Sequence, residues 1–125
     1  MKDPSSDLLP QAYDGLRQLQ RQFAAYQEAA FPLRPSRFFS LELCGEAGEL
    51  ANLEKKVWKG REIAEEAFVD EAADVLIAVL NYANSRGIDL AAAAEAKMAR
   101  IDRRRVVEGG EAPAEFPGRL HREQS

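Results

Sequence analysis

Residues 41–50 read LELCGEAGEL. Glu42, Glu46 and Glu49 fall four and three residues apart, the spacing that stacks side chains along one face of a helix. Leu43, Ala47 and Leu50 recur beside them at the same period. Stacked like charges repel, so an isolated helix gains nothing from the acidic stripe. The stretch therefore reads as a helix whose carboxylates border the strip it buries. Further on, residues 70–80 read DEAADVLIAVL, and Glu71 and Asp74 repeat the pattern inside a second apolar run. An ExxE and an ExxD, each on a mainly apolar helix, point to one divalent-cation site between two packed helices.

Working outward, the acidic stretch sits in a predicted helix over 36–58. Gly60 supplies a left-handed stop, and Lys55, Lys56 and Lys59 suit the negative end of the helix dipole. Gly45 and Gly48 each cost about 1 kcal/mol relative to alanine in a helix interior. Their place beside Glu46 and Glu49 suggests that a neighbouring helix or a substrate approaches the backbone there. The ExxD run predicts a helix over 64–84. Phe68, Ala72, Val75, Val79 and Tyr82 or Ala83 form its expected core stripe, with Glu71, Asp74, Ala78 and Asn81 on another face. Ser85-Arg86-Gly87 ends it, and Asp89 caps a fourth helix over 90–105.

Upstream, Leu16, Leu19, Phe23 and Tyr26 or Gln27 recur at helical spacing and predict a helix over 9–30, with Pro10 in its first turn. Pro32 and Pro35 break that pattern and mark an ordered connector. Phe31, Phe38 and Phe39 flank it, either packing on the helices or, for one of them, stacking on a ligand base. Trp58 reads first as a packing anchor and second as a stacking platform. Residues 1–6 read as a loose tail. Residues 109–125 carry two prolines and no periodic pattern, and read as an extended tail or an arm for another subunit. The expected organisation is one helical domain over 1–108.

Composition narrows the chemistry. The chain has 125 residues, 46% apolar and 30% charged, enough for one domain with a modest core. No apolar run reaches the length of a membrane span and no signal peptide is evident, so a cytoplasmic protein is expected. The single cysteine, Cys44, fits a reducing compartment and reads as a small buried apolar residue. A net charge of −4 leaves no electrostatic footprint for nucleic acid. The acids nevertheless concentrate between Glu42 and Asp74, while Arg100 to Arg105 is basic.

The only histidine is His121, which argues against a di-iron Glu-x-x-His bundle, a zinc hydrolase and a Ser–His–Asp triad. No Walker A loop or dinucleotide fingerprint is present. Carboxylates are the preferred ligands of hard cations such as magnesium or manganese. The plain alternative is that Glu46, Glu49, Glu71 and Asp74 lie on solvated faces. Lys97 and Arg100 read either as dipole partners at the end of helix four or as contacts for metal-held phosphates, and Lys55 and Lys56 have the same two readings.

The wording CGEAGELANLEKKVWKG followed by EAADVLI resembles the MazG-like, all-α nucleoside triphosphate pyrophosphohydrolases, a superfamily that includes dCTP pyrophosphatases, dimeric dUTPases and phosphoribosyl-ATP pyrophosphatase. The similar stretch covers roughly residues 35–104. The resemblance implies a four-helix bundle-type fold that assembles as a homodimer or homotetramer, with sites built between subunits. It implies a Mg2+ centre (Mn2+ as substitute) held by Glu46, Glu49, Glu71 and Asp74, with Glu46 or Glu49 drawing a proton from water. The implied reaction cleaves a nucleoside triphosphate between its α and β phosphates, giving the monophosphate and pyrophosphate, in nucleotide-pool house-cleaning. Expected substrate contacts are Lys56, Lys97 and Arg100 toward phosphate, and Arg37, Phe38, Trp58 and Asn81 toward the base.

Departures from the family pattern are specific. Gly45 stands where EExxE has its first glutamate, as in members that read GExGEL. Ala78 stands where many members have tyrosine, and Lys97 is followed by Met98, Ala99 and Arg100. The histidine typical after the ExxD of phosphoribosyl-ATP pyrophosphatase is absent. These departures are the basis of an alternative, a helical interaction module that kept the fold and lost the chemistry.

Overall fold

A computed structural model describes residues 8–108. Four helices account for most of them: α1 (Asp14–Ala30), α2 (Ser36–Trp58), α3 (Glu65–Arg86) and α4 (Leu90–Val107). No strand occurs among the described residues. The expected tails at 1–6 and 109–125 lie outside them. The chain divides into two packing units, one of Pro10–Glu95 and one whose described part is residues 8–9 and 96–108.

In the larger unit, α2 and α3 form the principal helix pair and α1 packs on α3. A short connector joins α2 to α3, as in an antiparallel helix hairpin. Both helices stop where a glycine takes positive φ, at Gly60 (φ 93°) and Gly87 (φ 68°). After each stop the backbone closes the same pair of bonds. Arg61 N–H donates to the Lys56 carbonyl at 3.0 Å and Gly60 N–H to Val57 at 2.9 Å; Ile88 N–H donates to Ala83 at 2.9 Å and Gly87 N–H to Asn84 at 3.2 Å. These are Schellman closures, which satisfy carbonyls that a helix end leaves unpaired. Glu65 and Glu66 occupy the first turn of α3 and Lys55 and Lys56 the last turn of α2, so both charges suit the helix dipoles. Asp89 caps α4, its Oδ1 accepting the Ala92 N–H at 3.1 Å.

The first helix begins later than the apolar pattern predicts. Pro10 precedes α1 instead of lying in its first turn. The inward face of α1 also differs, because Gln20 is buried whereas Leu19 and Tyr26 are exposed. Gln20 earns its position by bonding on all sides. Its Nε2 donates to Asn84 Oδ1 at 3.0 Å and to the Ile88 carbonyl at 2.6 Å. Its Oε1 accepts the Leu90 N–H at 3.0 Å, and Asn84 Nδ2 donates to the Gln20 carbonyl at 3.1 Å. One amide therefore ties α1 to the end of α3 and the start of α4. Arg17, one turn earlier, bonds both Asp14 (2.9 Å) and Asp89 (3.1 Å). The Arg17 guanidinium is pushed up by Asp89, and Asp89 is held low by the Ala92 N–H and then by Arg17.

On α3 the two expected faces exchange weight. Ala72, placed in the core stripe by periodicity, is exposed, whereas Ala78 and Asn81 from the acidic face are buried beside Leu80 and Ala83. The reason is that α3 contacts both α1 and α2. Two of its stripes are therefore covered, and the small Ala78 lets a neighbour come close. In the smaller unit, the C-terminal turns of α4 carry one buried acid, Asp102, whose Oδ1 accepts from Arg105 at 3.0 Å.

Candidate metal centre

Three of the four predicted acids converge. Glu46 and Glu49 project from adjacent turns of α2 and Glu71 from α3, and each offers a carboxylate oxygen within 4.8 Å of the other two. The i, i+3 spacing on α2 and the antiparallel pairing with α3 bring them together. Glu46 and Glu71 are half-buried, while Glu49 is exposed. Asp74, half-buried one turn along α3, lies outside this group, and on α2 Glu42 is exposed one turn away, as is Cys44, which the sequence reads as buried.

The electrostatics of the cluster are those of three acids held close together. Glu46 Oε2 and Glu71 Oε2 are buried and have no hydrogen-bond partner. Glu71 is pushed up to about 7, first by the hydrogen bond its protonated form can give Glu49, then by burial and by the neighbouring Glu46. A buried carboxylate oxygen without a partner is costly, and adjacent like charges add to the cost. A divalent cation removes both penalties at once. The donor set is all carboxylate oxygen, which suits a hard divalent cation. Glu46, Glu49 and Glu71 therefore fit such an ion.

The sequence offers a neighbouring helix or a substrate as the reason for Gly45 and Gly48, and among the described residues the first is not met. No atom lies within 4 Å of where a Cβ would stand on Gly45 or Gly48, so no neighbouring helix of this chain uses them. Instead Gly45, Gly48, Asn52 and Lys55 line an open concavity that Glu49 borders. Their missing side chains leave the approach to Glu49 clear.

The remaining predicted residues scatter. Phe38 packs edge-on against the buried Phe39, with ring centroids 5.3 Å apart, and the Arg34 guanidinium sits 4.8 Å over the Phe38 ring. Arg37 is exposed and Lys56 half-buried. Trp58 is 86% exposed, so it anchors no packing among the described residues. Lys97 and Arg100 are exposed on α4 within the other packing unit. Asn81 is buried at 8% exposure and lines a cavity with Phe39, Phe31 and Arg34.

Sequence reasoning missed Gln20 and Asn84. A signal was present, since Leu16, Gln20, Phe23 and Gln27 keep helical spacing and put two amides inside an apolar stripe. Among the described residues, no helix is long and apolar enough to cross a membrane. Compared with known family models, curated proteins and solved structures, the chain gave no match.

Proposed function

We propose that this protein is a magnesium-dependent nucleoside triphosphate pyrophosphohydrolase of MazG-like type. The observation that carries the reading is the convergence of Glu46, Glu49 and Glu71 from two helices, with two buried oxygens left without partners. Four helices, with no strand among the described residues, are compatible with that type, and the GEAGEL and EAADVLI wording supports it.

Bound by these three acids, with Asp74 adjoining, the cation would neutralise and orient the triphosphate. Glu46 or Glu49 accepts a proton from the attacking water. As the water oxygen bonds to phosphorus, the bridge between the α and β phosphates breaks and its electron pair leaves with pyrophosphate. Glu49 is the more accessible of the two, and Gly45 and Gly48 keep its surroundings open to a bulky anion. Lys55 lines the same concavity, which supports a phosphate contact there.

Assembly belongs to the same proposal. Leu41 and Val69 are 72% and 64% exposed, and Leu76 and Ile77 are also uncovered. Apolar side chains on the outer surfaces of the two helices that hold the acids favour a homodimer or homotetramer.

The test is pyrophosphate release from a panel of ribo- and deoxynucleoside triphosphates in magnesium, manganese or EDTA. Metal-dependent release that vanishes in Glu49→Gln and Asp74→Asn, with helicity kept, is expected. Full turnover in both variants would sink the proposal. A folded protein that neither binds metal nor releases pyrophosphate would instead be an interaction module.

A further inference from the structure

The extensively packed helix pairs are α2 with α3 and α1 with α3, and α4 belongs to neither. Its start is tied by the Leu90 N–H bond to Gln20 and by the Asp89 cap, and one side is covered at Ala91 and Asp102. The opposite side carries Lys97, Arg100, Arg104 and Val107, which share a face because they follow at three- and four-residue steps. All four are exposed. Ile101 beside them is 46% exposed. None of the three cations is in an ion pair among the described residues. Helices in folded proteins draw most of their stability from packing, yet this side of α4 is left bare.

The outer side of α3 is its complement. Glu65, Glu66, Val69, Asp70 and Ala73 line one open concavity. Leu76 and Ile77 continue that side and are uncovered. Glu71 meets the α2 acids from another side of the helix, so this surface is separate from the metal centre. Helix dipoles account for Glu65 and Glu66 in the first turn of α3 and for Arg104 in the last turn of α4. They do not account for Asp70, Lys97 or Arg100, or for the exposed Val69, Leu76, Ile101 and Val107.

We propose that α4 of one copy docks antiparallel on the outer side of α3 of a second copy. The proposal rests on the assembly half of the reading above and names the two surfaces. Ile77 follows Glu66 by eleven residues, as Arg104 follows Ala93, so each stripe is about 16 Å long. Laid antiparallel, they put Glu66 opposite Arg104 and Asp70 opposite Arg100. Leu76 and Ile77 then meet Ala93 and Ala96, which are exposed and small enough to let the helices close. Parallel docking would set the acids against alanines and the arginines against Leu76 and Ile77. A lipid surface or a nucleic acid would answer the bases of α4 but not the acids and apolar residues of α3. In a two-fold dimer the contact is made twice, once in each direction.

The experiment measures the mass of the full chain by analytical ultracentrifugation over a range of concentrations, in EDTA and without nucleotide. Two charge-reversal variants are compared, Glu66→Lys with Asp70→Lys, and Arg100→Glu with Arg104→Glu. Wild type should self-associate, and each variant should do so at least about tenfold more weakly, because like charges then face each other. Mixing the two variants should restore association, since each reversed face then meets a reversed partner. Hydrogen exchange on wild type, which needs no variant, should slow over 66–77 and 93–104 together as concentration rises. Unchanged association in either folded variant, a mixture of folded variants that stays apart, or slowing confined to other segments would overturn the proposal while leaving assembly through another surface standing. A wild type that stays monomeric would overturn both. Pyrophosphate release, assayed separately, tests the chemistry and decides neither outcome.

Discussion

Glu46 and Glu71 stand on different helices, yet each buries a carboxylate oxygen that has no hydrogen-bond partner, and their carboxylates meet within 4.8 Å. The protein thus holds two acids together that repel one another, between α2 and α3. An ion that binds them gains the energy that the fold spends on keeping them close, and that relationship underlies the predictions below.

Glu71→Gln should separate stability from function. The amide removes a negative charge from the cluster and can donate to Glu49, so the metal-free protein should melt higher at pH 8 than wild type. Losing one carboxylate ligand should lower pyrophosphate release at least about 100-fold, since even supporting residues around a metal cost 10–100-fold. Thermal melts in EDTA and steady-state assays in magnesium check the two halves. A variant that melts lower in EDTA would contradict the repulsion argument.

The pH dependence follows from the same group. Glu71 in the fold is raised from an ordinary 4.5 to about 7. A raised acid holds its proton better folded than unfolded, so its stabilising share is complete below about 4.5 and is lost as pH rises through about 7. The metal-free melting temperature should therefore fall across that window from this group. A divalent cation competes with the proton, so its stabilising effect should grow from pH 5.5 to pH 8 and its binding near neutrality should release a proton. A cation effect that shrinks with rising pH would count against Glu71 as a ligand.

Gln20→Ala should be among the costlier substitutions outside the acidic site. It strips partners from the Ile88 carbonyl, the Leu90 N–H and Asn84. Leaving buried groups unpaired predicts a loss of about 2–3 kcal/mol in urea unfolding. A change below about 0.5 kcal/mol would mean that water replaces the amide without cost.

Two glycine substitutions should act in opposite directions. Gly87 has φ 68°, so Gly87→Ala should destabilise by about 1 kcal/mol. Gly45 is in a helix interior with open space around it, so Gly45→Ala should stabilise the free chain by about 0.5–1 kcal/mol. Denaturant midpoints for the two variants give the comparison. A destabilised Gly45→Ala would reveal a second chain or a ligand seated on that face.

Much of this architecture was legible before any coordinates. Gly60 and Gly87 marked helix ends because only glycine takes positive φ cheaply, and Asp89 marked a start because its side chain caps an N-terminus. The ExxE spacing put Glu46 and Glu49 on one face, and the second apolar run supplied Glu71. What periodicity could not rank was the covering of each face. Because α3 is packed by two helices, Ala78 and Asn81 are buried while Ala72, equally regular in spacing, is not. Nor does spacing distinguish Glu71, which joins the acidic group, from Asp74, which lies outside it. Gln20 was hidden because its role depends on the Ile88 and Leu90 backbone, brought near only by the fold.

Calorimetric titration of the full chain with Mn2+ at pH 8, beside Glu71→Gln, bears most directly on the acidic cluster. Saturable binding to wild type, weakened at least about 100-fold in the variant, is the predicted result. Wild type and variant binding Mn2+ alike, or no saturable binding by folded wild type, would contradict the assignment of Glu46, Glu49 and Glu71 as a metal centre.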